Sequence, residues 1–170
     1  MSTRGRSSAS AEGVLDVGVL VPACFENPLE NESIRFISDV LSGRRPGTLP
    51  LTSVLGAYHI LTRYLRVPRL AVKGVLEGLL MTDSPALHAA TPRRVVSDAL
   101  DYAAAYSVES WDGYLVALCR SLGSTVVYSM DRELAKVREV TVVNPYPAAK
   151  VEEYHGFIQE LVKNRDRLAP

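Results

Sequence analysis

Asp16, Asp112 and Asp131 are the residues whose placement asks for chemistry. Asp16 interrupts the apolar run VLDVGVLV, residues 14–21. An unpaired carboxylate there is costly unless a cation, a metal or several N–H donors meet it. Asp131 follows the apolar stretch TVVY and opens DRELAKV, and Ser129 just before it adds a hydroxyl. Asp112 stands in the first turn of WDGYLVALCRSL, with Glu109 three residues earlier. Taken singly, each acid has an ordinary explanation as a helix cap or as a charge favoured by the helix dipole. Taken together, they occupy strand C-termini or helix N-termini, the edge at which open α/β sheets bind ligands. Three carboxylates gathered there repel one another, so a cation is expected between them. All-oxygen ligands suit Mg²⁺ or Mn²⁺ better than zinc.

The elements that must position these acids follow from periodicity. Residues 14–21 are apolar almost throughout and predict a strand buried on both faces, with Asp16 on the side of Val14 and Leu20. Apolar spacing predicts a helix over 33–41, stopped by Gly43, and a short extended piece over 48–51. Thr52 is the expected N-cap of a helix ending before Val67-Pro68, and a second helix covers 69–80. A brief extended stretch, ALHAA, precedes Thr91-Pro92, a helix start with Thr as N-cap and Pro at the first position. The helix over 110–122 has Trp111, Leu115, Leu118 and Leu122 as its expected inner stripe and Gly123 as its stop. Strands are expected at 125–128 and 140–143, with a short helix over 131–137 between them. Val151, Tyr154, Ile158, Leu161, Val162 and Leu168 mark an amphipathic C-terminal helix. Strands separated by helices predict an α/β fold, a three-layer α/β/α sandwich with a mainly parallel central sheet.

Composition sets outer limits. A chain of 170 residues with 47% hydrophobic content suits one globular domain. Its 19 basic and 19 acidic residues cancel, so any electrostatic footprint for nucleic acid must be local. Cys24 and Cys119 match no metal-ligand spacing and are expected to be reduced core thiols in a cytoplasmic protein. No apolar run reaches the ~18 residues of a membrane span. Residues 1–12 are polar and Ser-rich, lack the apolar segment of a signal peptide, and are expected to be a flexible leader.

VLDVGVL, AYHILTRYL, SWDGYLVALCRSLGSTVVYSMDREL and VTVVNP together resemble the successive motifs of the PIN domain, over residues 13–145. Residues 146–170 then form a C-terminal helical extension. The resemblance implies a metal-dependent endoribonuclease and, as in many members of the family, the toxin of a toxin–antitoxin pair. It further implies RNA as substrate, a cognate antitoxin as a partner, and a homodimer. It casts Asp16, Asp112 and Asp131 as the first, third and fourth acids of a four-acid catalytic pocket holding Mg²⁺ or Mn²⁺. The chain departs from the pattern at Gly56, where the family has Glu, and no acid occurs anywhere from Thr52 to Lys73. It also has Gly18 two residues after the first Asp, and Ser129-Met130-Asp131 in place of Thr-x-Asp. Three carboxylates remain, enough for one Mg²⁺ with several waters but weak for a two-metal scheme.

Two other readings follow from the same residues. With an acid missing, the chain is a non-catalytic PIN-like domain that binds RNA or protein. A phosphoacceptor domain also sets an Asp at a strand end, but it needs an adjacent acidic pair and a Lys after a later strand, which are absent here. His59, His88 and His155 have no partnered Ser or Cys and read as structural. Arg63, Arg66 and Arg69 form one basic group and Arg44 and Arg45 another. Both are in reach of phosphates, with solvated surface charge as the expected reading.

Overall fold

The computed structural model describes residues 13–166, so the expected leader at 1–12 and Leu168 of the C-terminal stripe lie outside the described residues. Five short strands form one parallel sheet in the order β3-β2-β1-β4-β5. They are β1 (Gly13–Leu15), β2 (Gly47–Pro50), β3 (Leu87–His88), β4 (Val126–Tyr128) and β5 (Thr141–Val143). Seven α-helices connect and cover them: α1 (Val17–Leu20), α2 (Glu30–Leu41), α3 (Leu51–His59), α4 (Arg69–Leu80), α5 (Arg93–Tyr106), α6 (Ser110–Ser121) and α7 (Ala148–Asp166). The result is the α/β/α sandwich expected from the alternation of strands and helices. The order reverses at β1, with β2 on one side and β4 on the other, so the C-terminal end of β1 is a topological switch point.

Alternate residues of the central strands feed two cores. Leu15 and Leu49 face a cluster built from α1 to α4, which also takes in Tyr146, Val151 and Tyr154. Val14 and Val127 face a second cluster built from α5 and α6. Helix α7 therefore packs Val151 and Tyr154 on its own chain, with Ile158 and Leu161 against the same core, whereas Val162 of the expected stripe is exposed. The α5–α6 layer is close enough to require glycine: a Cβ on Gly113 would lie 2.2 Å from the Ala99 carbonyl oxygen. Gly13 is similarly constrained, because the Tyr128 ring lies across it.

Several local expectations need correction. The run at 14–21 is not one strand. It pairs only over Gly13–Leu15, then turns at Asp16 into α1 and a 3-10 turn at Val21–Cys24. Val19, Leu20 and Val21 are buried in either geometry, so their apolarity does not separate the two. The N-caps fall on Pro50 and Pro92 instead of Thr52 and Thr91. The helix after Pro50 continues past His59 as a π-helical turn, Ile60–Tyr64. On α6 the inner positions are Leu115 and Leu118, whereas Trp111 and Leu122 are exposed, because the helix is enclosed on most sides over its middle. The expected helix at 131–137 is a single 3-10 turn, Glu133–Lys136. Cys24 and Cys119 are free and buried, and burial pushes the Cys24 thiol up to about 12, so it stays protonated and unreactive.

Candidate active site

Asp16 stands one residue beyond β1, with extended backbone, as the N-cap of α1. Its own N–H continues the sheet ladder by donating to the Tyr128 carbonyl at 2.9 Å. The side chain is 8% exposed. Ser129 Oγ donates to its Oδ2 at 2.7 Å, and the nearby Val17 and Gly18 N–H groups favour its charged form. Gly18 leaves room for this arrangement, since a Cβ there would stand 3.3 Å from Asp16 Oδ2.

Asp131 is reached through the same serine. Its N–H donates to Ser129 Oγ at 2.9 Å, and its Oδ1 accepts the Glu133 N–H at 2.8 Å, capping the 3-10 turn. Asp112 is the third residue of α6 and is 9% exposed. The nearby backbone N–H of Glu109, the N-cap residue, favours its ionised form. The local capping role available to Asp131 is therefore realised.

All three acids line one cleft of about 1070 Å³ at the C-terminal edge of the sheet. They act on one another there. The Asp112 carboxyl is pushed up to about 6, first by burial and then by the charges of Asp131 and Asp16. Burial also raises the Asp16 carboxyl, against the hydrogen bond from Ser129, and Asp131 adds to the rise. Among the described residues no Lys, Arg or His forms an ion pair with any of the three. In donor chemistry and in charge the cleft fits a hard divalent cation. In geometry the fit is open: among the described residues no three His, Cys, Asp or Glu side chains form a ready-made metal cage.

Position 56 borders this cleft. A Cβ on Gly56 would lie 3.3 Å from Val17 Cγ2 and 3.5 Å from Trp111 Cζ2, and Val17 and Trp111 both line the cleft. A carboxylate at 56 would rise between the neighbours of Asp16 and Asp112. The opposite wall comes from Asn144 and from Glu152 and His155 of α7. Sequence reasoning did not bring α7 to the site, since its stripe signals packing and its polar face carries no motif. His155, read as structural, is an exposed residue of this wall, and His59 lines a separate pocket. No helix among the described residues is long and apolar enough to cross a membrane. Set beside known proteins, the chain matches no family's sequence model and no curated protein.

Proposed function

We propose that the chain is a metal-dependent endoribonuclease of the PIN type, acting in the cytoplasm on single-stranded or looped RNA. One observation carries this reading: Asp16, Asp112 and Asp131, from three separate segments, face one cleft at a switch point of a parallel sheet without a paired cation among the described residues. A bound Mg²⁺ or Mn²⁺ would supply an activated water and neutralise charge on the scissile phosphate. The protein's part is to offer oxygen ligands in fixed orientations. The Ser129 hydroxyl donates to the Asp16 carboxylate and accepts the Asp131 N–H, so one side chain ties two of the three acids together. Asp112 is fixed in the first turn of α6 and largely buried. The test is cleavage of a fluorogenic RNA with Mn²⁺ titrated. Metal-dependent turnover by the wild type, lost in both Asp16→Asn and Asp112→Asn, is the expected result. A toxin role with a cognate antitoxin belongs to the same proposal, and is checked by whether a neighbouring gene relieves growth arrest on expression.

A second reading is a non-catalytic PIN-like domain that binds RNA or protein. It is favoured by the hydrogen bonds Asp16 and Asp131 already make within their own surroundings and by the open cage among the described residues. RNA binding without turnover at any Mn²⁺ concentration would select it.

A further inference from the structure

Arg63, Arg66 and Arg69 line a second pocket, of about 530 Å³, with Tyr58, His59 and Thr62. Residues 52–73 contain no acid, and among the described residues none of the three guanidinium groups is ion-paired. The other basic pair is engaged: Arg44 meets Asp39 at 2.8 Å, and Arg45 lies 5.1 Å over the Phe36 ring. The backbone departs twice from a plain helix at this pocket. Ile60–Tyr64 is a π-turn, and Arg66 has φ of 49°, a left-handed conformation costly for any residue but glycine. Arg63 before the break and Arg69 after it consequently face one space. Beside them the Tyr64 ring is 62% exposed and stands edge-on to His59 at 5.5 Å between centroids.

Guanidinium groups without counter-charges are suited to phosphate oxygens, which they meet with paired N–H donors. Three of them exceed what a single phosphate needs, and an exposed ring alongside offers a base a stacking face. We propose that this patch is a docking site for single-stranded nucleic acid, with Arg63, Arg66 and Arg69 on backbone phosphates and Tyr64 under a base. It uses no metal and none of the cleft acids, so it stands apart from the nuclease reading.

Fluorescence anisotropy of the full chain with a labelled single-stranded oligouridylate, in EDTA and over a salt series, tests it. The variant Arg63→Ala/Arg66→Gly/Arg69→Ala removes the charges while glycine suits the left-handed position, and a circular-dichroism melt verifies its fold. Arg66→Gly alone is the fallback if the triple variant fails to fold. The triple variant should bind at least ~10-fold more weakly, and its salt slope should fall by about 2, at roughly 0.7 for each phosphate no longer neutralised. Tyr64→Ala should weaken binding about tenfold with the slope kept. An unchanged affinity and slope in a folded arginine variant overturns the proposal, as does absence of binding by the wild type at low salt. A polyglutamate peptide that competes as well as the oligonucleotide would reassign the patch to an acidic protein partner and overturn it too. Binding is read in EDTA and cleavage in Mn²⁺, so missing cleavage in Mn²⁺ counts only against the nuclease reading, and missing binding in EDTA only against this one.

Discussion

Ser129 Oγ donates to Asp16 Oδ2 at 2.7 Å, joining residues 113 positions apart, and accepts the Asp131 N–H at 2.9 Å. Replacing it with Ala removes a charge-assisted buried bond and leaves the Asp131 N–H without its acceptor. Ser129→Ala should destabilise the protein by about 1–3 kcal/mol. In an Asp16→Ala background the same change should cost less, because the pair is coupled. Urea denaturation of the four variants in the cycle measures both effects; additive losses would show that the serine does not act through Asp16.

The raised acids set a pH dependence. The Asp112 carboxyl lies at about 6 in the folded protein against an ordinary 3.8, with burial as the leading cause. A carboxyl raised on folding binds its proton more tightly in the folded state. Its contribution to stability is therefore complete below about pH 4 and is lost as pH rises through 6. Asp16 shifts in the same direction. In chelator, Asp112→Asn should gain about 1–2 kcal/mol over the wild type between pH 5 and 7, a figure reduced for the openness of the cleft. Excess Mn²⁺ should reverse the trend in the wild type, since cation binding needs ionised carboxylates. Melting curves at pH 5, 6 and 7, with EDTA or with Mn²⁺, read both slopes.

Gly56→Glu should add a fourth carboxylate beside Val17 and Trp111, tighten Mn²⁺ binding and raise ribonuclease activity, and Asp112→Asn in that background should abolish the gain. Replacing a helical glycine gains up to about 1 kcal/mol, but the Val17 methyl at 3.3 Å must yield, so the net stability change should stay within about 1 kcal/mol of zero. Isothermal titration with Mn²⁺ and initial cleavage rates decide it. Wild-type rates equal to those of Gly56→Glu would show that the site lacks nothing.

Gly113→Ala tests the layer that carries Asp112. Its methyl would sit 2.2 Å from the Ala99 carbonyl oxygen, a backbone atom that cannot swing away. Overpacking of this kind costs about 1–3 kcal/mol or more, and moving α6 off α5 displaces Asp112 as well. Stability and Mn²⁺ affinity should fall together.

Helix α4 was legible, because Pro68 closes off the preceding helix and the apolar spacing over 69–80 has only one period. The sandwich was legible for the same reason on a larger scale. The break at Asp16 was not, since three residues of strand followed by a buried helix and one long buried strand are both apolar throughout. The acids were visible as anomalies of type and place. Their hydrogen bonds to Ser129 and to the backbone N–H of Glu133 were not, because they depend on side-chain directions that spacing does not encode. Nor did any pattern signal that Glu152 and His155 would close the far wall of the cleft.

The Val19 carbonyl receives two hydroxyls, from Ser33 at 2.9 Å and from Tyr146 at 2.7 Å, so the element beginning at Asp16 is clamped by a residue 127 positions further along. β1 likewise waits for β4 before its second edge is paired. Loop closure over such separations is slow, and none of these contacts can form while the later segment is missing. A ribosome partway through this chain thus carries an N-terminal half that includes Asp16 but neither the Tyr128 and Ser129 contacts that fix it nor the cleft around it. If the cleft cuts RNA, the growing protein is harmless to the message that encodes it until residues 126–146 have emerged.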